Sequence, residues 1–180
     1  MNTFLTIAKT LLKLLVAGAI SLFVFLFTMG FADGPWGVVP GGSFAETSQP
    51  APADWSFAKE YDTVEFQLEE PVSSRTSWIM EHNNRIFIPS GYMNSTVGKI
   101  WKQWPMHAEK NGNALLRIDG QVFEVRMQRT KEAAVLAPIL SELARKYMGM
   151  VPPIEDKVLA GMQQQVISNN LWVFELVGRS

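Results

Sequence analysis

The sequence predicts an α+β protein in which one N-terminal transmembrane helix precedes a small antiparallel β-barrel with helices to one side. Three observations carry this prediction. Residues 11–27 form an almost unbroken apolar run, residues 61–128 contain short strands joined by hairpin turns, and two helices separate those strands from a closing strand at 171–177. Consecutive strands followed by helices indicate a sheet built from hairpins rather than an alternating βα fold.

The apolar run has the length and charge pattern of a membrane anchor. As a helix rising 1.5 Å per residue, residues 11–27 extend about 26 Å, close to the hydrocarbon thickness of a bilayer. Lys9 and Lys13 flank the N-terminal side, and no Lys or Arg follows until Lys59. This asymmetry predicts a single-pass inner-membrane protein with a cytoplasmic N-terminus and a periplasmic domain. The main alternative is a signal peptide cleaved before Asp33, which also exports the domain. A third is a hairpin-like or interfacial segment.

The chain divides into three parts: a membrane anchor or uncleaved signal at residues 1–32, a linker at 33–54 and a barrel domain at 55–180. The linker contains four Gly and four Pro, which indicates a series of turns rather than a helix. It is either a flexible tether or, because proline restricts the backbone, a stiff collar that holds the domain at a fixed height.

Composition excludes several classes of function. The net charge is −1 with no basic run, which argues against a nucleic-acid partner. The chain has no cysteine, so disulfides, thiolate nucleophiles and cysteine metal sites are excluded. No Gly-x-Ser-x-Gly, P-loop or Rossmann glycine pattern is present, which argues against hydrolases and nucleotidases. His82 and His107 are the only histidines, and their spacing does not indicate a shared metal site.

Alternating apolar and polar residues predict five strands before the helices. They lie at residues 61–69, 77–81, 85–89, 114–118 and 121–128. His82-Asn83-Asn84 forms the turn of one hairpin, and Asp119-Gly120 is the strongest hairpin turn in the chain. A two-residue loop there pairs Ile118 with Gln121. The face of this hairpin predicted to be core comprises Leu116, Ile118, Phe123, Val125 and Met127.

Two helices are predicted after the hairpins. Residues 131–148 place apolar side chains three to four positions apart, and Pro138 within them predicts a kink or a short first segment. A second helix is predicted to start at Pro152-Pro153 and to run to about Ser168, since proline favours the first turn of a helix.

Residues 104–125 read Trp-Pro-Met-His-Ala-Glu-Lys-Asn-Gly-Asn-Ala-Leu-Leu-Arg-Ile-Asp-Gly-Gln-Val-Phe-Glu-Val. This succession of a tryptophan, a polar turn, a strand, a glycine turn and a second strand resembles the FMN-binding split-barrel superfamily. That superfamily includes pyridoxamine-phosphate-oxidase-like proteins and deazaflavin-dependent nitroreductases. Residues 77–89 are similar to its early strands and residues 171–176 to its closing strand. The resemblance covers about 54–179 and implies a split antiparallel β-barrel that forms a homodimer, with ligands between the two barrels.

The resemblance also implies a cofactor site. It implies FMN, with deazaflavin, haem or no cofactor as the alternatives. A flavin phosphate needs cations and hydroxyls that converge on it. The candidates for this role are Ser74, Arg75, Thr76, Lys99 and Lys102. Trp101 and Trp104 are candidates to border the flavin ring, and His107 is the candidate catalytic proton donor.

Each candidate residue also has an ordinary structural explanation. Arg75 suits a solvated turn, Lys99 and Lys102 suit an exposed surface, and the two tryptophans suit a core or an interface. Two functions therefore stay open. The first is a membrane-anchored, exported flavin-binding oxidoreductase that acts on a small or membrane-derived substrate. The second is a non-catalytic module that binds a small ligand or a partner protein at the membrane surface.

Overall fold

The computed structural model describes residues 2–179, which form five α-helices, one short 3-10 helix at Ser56–Glu60 and eight β-strands. The helices are α1 Asn2–Met29, α2 Thr96–Trp101, α3 Trp104–Lys110, α4 Ala133–Met148 and α5 Asp156–Ile167. The strands are β1 Ser48–Pro50, β2 Thr63–Glu69, β3 Val72–Trp78, β4 Met80–His82, β5 Arg85–Ser90, β6 Asn113–Ile118, β7 Gln121–Thr130 and β8 Trp172–Gly178.

All eight strands belong to one sheet with the order β3-β2-β6-β7-β8-β5-β4. Neighbours on this path are antiparallel, and β1 pairs with β7 in parallel beside it. The sheet curls until β3 approaches β5, but in residues 2–179 the hydrogen-bonded path ends at β3 and β4. The fold is therefore an α+β split barrel with flanking helices, and the predicted fold class is confirmed.

The two predicted hairpin turns are confirmed. Asp119 and Gly120 have φ angles of 50° and 73°, and Ile118 pairs with Gln121 as expected. Asn83 and Asn84 have φ angles of 52° and 61° and join β4 to β5. Two successive residues with positive φ give the turn whose twist matches that of the flanking strands, which explains why both hairpins form locally.

Two clusters of buried side chains form the core. The first fills the barrel interior and contains the predicted face of the β6–β7 hairpin, all of which is buried. Trp104 lies within it, with ring centroids 4.8 Å from Phe66 and 5.4 Å from Phe174. The second cluster lies between the sheet and the two long helices, where Ile139 and Leu140 of α4 are fully buried.

The strand boundaries at residues 70–82 differ from the prediction. Residues 77–81 were expected to form one strand, but Ser77 and Trp78 end β3, and β4 begins at Met80. β3 itself was not predicted. It contains three serines, a threonine and an arginine, so it lacks the alternation of apolar residues that marks a half-buried strand.

Two long helices follow β7, as predicted, but the effect of Pro138 and the start of the second helix differ from the prediction. Pro138 lies inside α4, which runs unbroken as one helix from Ala133 to Met148. α5 begins at Asp156, after Pro152-Pro153 rather than at it, and Glu155 is its N-cap residue. α2 and α3 were not predicted because six and seven residues are too short for a clear helical period.

α1 carries the apolar run. Thr3–Met29 has a mean hydropathy of 2.3 over its most apolar window, and none of that window is buried against the rest of the chain. By length and composition it is able to cross a bilayer, and a signal sequence meets the same criteria.

Residues 33–46, which we call the collar, pack against the barrel. Gly41 exchanges both backbone hydrogen bonds with Ser74 of β3, at 3.1 and 3.0 Å. The Phe44 N–H donates to the Gln67 side chain at 2.6 Å. At the other end, the Trp36 ring meets Phe25 of α1 edge to face, with 5.8 Å between centroids. These contacts favour the stiff collar over the flexible tether, and β1 adds part of the linker to the sheet.

Arg117 of β6 fastens the collar to the sheet. Its side chain is only 13% exposed and donates to Asp33 at 2.8 Å, to Glu46 at 2.9 Å and to Glu65 of β2 at 2.7 Å. The guanidinium also lies 4.2 Å from the centroid of the Phe44 ring. Burial opposes its charge, but the hydrogen bonds to the carboxylates outweigh burial and raise the pKa of Arg117.

Replacing Arg117 should therefore loosen the collar. We expect Arg117→Ala to lower the free energy of unfolding by about 1–3 kcal/mol, because three carboxylates lose a shared partner. Chemical denaturation followed by tryptophan fluorescence measures this loss, and limited proteolysis should show new cleavage within residues 33–46. Arg126→Ala is the control, since Arg126 is exposed on β7 and forms no ion pair within residues 2–179. Equal stability of the two variants would show that Arg117 does not fasten the collar.

Candidate functional site

A cavity of about 470 Å³ opens at the seam between β3 and β5. Its walls come from β3, from the loop after β5, from α2 and the residues that follow it, and from Leu143 of α4. Trp104 of α3 lies at the barrel side, and Gly37 and Val38 of the collar complete the lining. The cavity therefore occupies the place where the split barrel fails to close.

The inner face of β3 is polar. In the β2–β3 register Ser73, Arg75 and Ser77 lie opposite Leu68, Phe66 and Val64. Residues directly opposite each other in an antiparallel pair share a face of the sheet. The three β2 residues are buried in the core. The polar residues of β3 therefore lie on the same face of the sheet as the core and extend that face to the seam. This arrangement gives the cavity a hydrophilic wall beside an apolar one.

Arg75 is a half-buried cation without an acidic partner. Its Nε is buried and has no hydrogen-bond partner, and none of the ion pairs within residues 2–179 includes its guanidinium. Burial lowers the pKa of Arg75, although a guanidinium stays protonated in proteins. An unsatisfied buried donor costs about 1–3 kcal/mol. Arg75 thus presents a charged donor suited to an anion.

Lys102 is the second cation in the lining. Its Nζ donates to the Gly91 carbonyl at 3.0 Å and lies 5.8 Å from the centroid of the Tyr92 ring. Burial lowers the pKa of Lys102, and no described Asp or Glu lines the cavity. The lining therefore carries two positive charges and no negative one, which favours an anionic ligand.

Aromatic side chains form much of the remaining lining. Trp78 stacks on Tyr147 with 4.5 Å between centroids and 9° between planes. The Tyr147 hydroxyl donates to the Ile79 carbonyl at 2.6 Å and accepts from the Ile79 N–H at 2.8 Å, and burial raises its pKa to about 12. Trp101 is half exposed at the mouth, whereas Trp104 is buried in the core. Planar surfaces of this kind suit a ligand that contains a flat ring.

The structure brings five of the eight predicted site residues to the cavity. Those that line it are Arg75, Thr76, Trp101, Lys102 and Trp104. The other three are outside the lining. Ser74 is buried, with its backbone paired to the collar, Lys99 is exposed on α2, and His107 is half-buried on α3. The placement of His107 gives no support to its predicted role as a proton donor at this cavity.

Sequence reasoning missed Trp78, Ser77 and Tyr92, which also line the cavity. Residues 73–77 are all polar, so no alternation in the sequence marks the inner face of β3. Arg75 is half-buried in a strand, so its explanation as a residue of a solvated turn is wrong. Within residues 2–179 no group of three or more His, Asp or Glu side chains is placed to hold a metal ion.

No protein-family model and no curated protein matches the sequence. Two solved structures are similar to it. The conserved hypothetical protein Rv2991 from Mycobacterium tuberculosis is 15% identical with a TM-score of 0.49, covering 74% of this chain and 87% of that one. A putative pyridoxamine 5'-phosphate oxidase from Listeria innocua is 8% identical with a TM-score of 0.42, covering 69% and 90%.

The absence of an acidic partner for Arg75 predicts an unusual effect of replacing it. We expect Arg75→Met to leave the free energy of unfolding unchanged or to raise it by up to about 1 kcal/mol, because the variant no longer buries an unsatisfied charge. Arg129→Met is the matched control. Arg129 donates to Glu109 at 2.8 Å and to Asn169 at 2.7 Å, so its loss should cost about 1–3 kcal/mol. Denaturant titration measures both, and a large loss in Arg75→Met would mean that Arg75 is a structural residue.

Proposed function

We propose that the cavity binds FMN and that the protein is a membrane-anchored, exported flavin-dependent oxidoreductase. The single observation that supports this proposal is the pair of cations, Arg75 and Lys102, that lie among aromatic side chains with no carboxylate in the lining. A phosphate group requires such cations, and a flat ring system requires the aromatic surfaces. The donor set present in the structure therefore fits FMN.

The residues divide between the two parts of the ligand. Arg75 is half-buried in β3 and offers several donors in a fixed plane, which suits two phosphate oxygens at once. Lys102 adds a second charge, and the hydroxyl of Ser77, on the same face of β3 as Arg75, supplies a neutral donor. When bound, FMN would supply two-electron transfer. The chain's own part is to hold the phosphate, border the ring and exclude water from it.

The membrane anchor and the homodimer are part of the same proposal. Lys9 and Lys13 at the N-terminal side of α1 support a cytoplasmic N-terminus. A homodimer would place a second barrel against the ligand, as the family resemblance implies. Protease protection of the C-terminus in intact cells and in spheroplasts tests the orientation, and sedimentation in detergent tests the dimer.

One observation supports a non-catalytic module as the second candidate. The titratable residues in the described lining are Arg75, Lys102 and Tyr92, so no His, Asp or Glu side chain is placed there for acid–base chemistry. A bound flavin that is never reoxidised by any acceptor would favour this candidate. Reduction of the bound flavin followed by reoxidation with a soluble quinone separates the two functions.

FMN binding has a direct test. We expect the protein purified in mild detergent to show flavin absorption, or to quench FMN fluorescence on titration. Arg75→Met and Lys102→Met should each weaken binding by about tenfold or more, equivalent to about 1.4 kcal/mol per factor of ten. Lys157→Met, at an exposed position of α5, is the charge-matched control. Unchanged affinity in both cavity variants would rule out the phosphate assignment.

The lowered pKa of Lys102 predicts a pH dependence of binding. The protonated ammonium attracts the phosphate, so FMN affinity should fall as pH rises towards that lowered pKa, below the ordinary lysine value of 10.5. In Lys102→Arg the charge persists to much higher pH, and the fall should disappear. Dissociation constants measured from about pH 7 to pH 10 on both proteins check this, since the flavin's own titration is common to both. Parallel curves would show that Lys102 does not contact the anion.

A further inference from the structure

We propose that the mouth of the cavity docks on the lipid bilayer, so that an amphiphile dissolved in the membrane reaches the cavity without crossing water. The docking surface consists of Val38, Tyr92, Ile100 and Trp101, which we call the rim. This inference rests on the part of the proposed function that places α1 across a bilayer, and it adds the surface and the class of substrate.

The rim is strongly apolar for an exposed surface. Val38 is 85% exposed, Tyr92 and Ile100 are 73% exposed, and Trp101 is 49% exposed. Val38, Tyr92 and Trp101 also line the cavity, and Ile100 precedes Trp101 in α2. Clustered apolar side chains on a surface mark a site of interaction. Because three of these four exposed side chains line the cavity, a surface that covers them also covers that side of the cavity.

The connection to α1 indicates that a bilayer is the partner. Phe25 lies four residues before the end of α1, about 6 Å along the helix axis. The Trp36 ring contacts Phe25, so a bilayer that contains the end of α1 holds Trp36 at its interface, where tryptophan is favoured. Gly37 and Val38 follow directly and line the cavity. Two residues span at most about 7 Å, similar to the thickness of one headgroup layer.

The charges around the rim agree with a lipid surface. Residues 91–103 contain Lys99 and Lys102 but no Asp or Glu. Lys99 is exposed next to Ile100 and Trp101. An exposed lysine beside tryptophan and aliphatic side chains is typical of segments that lie in the membrane interface and attract anionic lipids. A neutral or cationic soluble partner would not account for both features.

The apolar rim then defines the ligand class. Arg75 and Lys102 lie in the cavity behind the rim, where the proposed function assigns them to the FMN phosphate. A molecule that enters from the membrane therefore meets the apolar rim before it reaches the flavin. The substrate class is an amphiphile whose reacting head enters the cavity while its apolar tail stays in the bilayer.

The absence of cysteine from the chain allows single cysteines to be placed for spin labels. Ile100→Cys reports on the rim and Phe23→Cys, on the exposed surface of α1, reports on the anchor. Ala160→Cys is the control, because Ala160 is exposed on α5 and no residue of α5 lines the cavity. The full chain is reconstituted in nanodiscs of phosphatidylcholine and phosphatidylglycerol. Electron paramagnetic resonance then compares the access of oxygen, which is concentrated in lipid, with that of a water-soluble nickel chelate.

We expect the labels at 23 and 100 to favour oxygen over the nickel chelate, by about tenfold or more at 23 and less at 100, and the label at 160 to favour the chelate. A lipid-like signal at 23 with a water-like signal at 100 would overturn the inference while leaving the anchor intact. Spin–spin broadening at 100 without access to oxygen would overturn it in favour of a second copy on the rim. A water-like signal at 23 would overturn the anchor itself. FMN binding in detergent is measured separately and does not depend on any of these results.

Discussion

The inner face of β3 constrains the whole barrel. A curled antiparallel sheet closes by packing the apolar inner faces of its end strands against each other, but β3 presents Ser73, Arg75 and Ser77 to the interior. Closure would bury the Arg75 guanidinium against Phe66 and its neighbours without an acidic partner. The free-energy cost of desolvating that charge exceeds the stabilisation that a hydrogen bond provides. The sheet therefore remains split, and the collar, α2 and α3 border the seam instead of a further strand.

The rigid parts of the site are supported by the second core cluster. α4 packs on the outside of the sheet, and its Tyr147 binds both backbone groups of Ile79 directly after β3. The same ring supports Trp78 from behind, so one wall of the cavity is fixed by the packing of α4. The opposite wall is built from the short helix α2 and the loop before it, which contribute few buried side chains. The wall formed by β3 is thus fixed by core packing, whereas the wall formed by α2 and the preceding loop contains few buried side chains.

Local signals in the sequence account for what could be predicted. The register of the β6–β7 hairpin follows from Asp119-Gly120 because the turn and the alternation act within a dozen residues. β3 was not predicted because its polar inner face leaves the sequence without alternating apolar residues. The same polar face lines the cavity. The gathering of Arg75 and Lys102, 27 positions apart in sequence, depends on the curvature of the sheet. The family resemblance suggested their phosphate-binding role, which stays a prediction. His107 was suggested by the acid–base chemistry of imidazole, and it lies on α3 outside the lining of the cavity.

Arg117 has a consequence for how the protein moves. It holds Asp33, four residues after the end of α1, to β2 and β6 through a single guanidinium. When α1 spans a bilayer, as we propose, a domain fastened this close to the span does not tumble independently. In a bilayer it rotates about the membrane normal and diffuses laterally. It therefore meets other membrane components by diffusion in two dimensions rather than three. Molecules in the same leaflet then arrive at a surface whose orientation is already set.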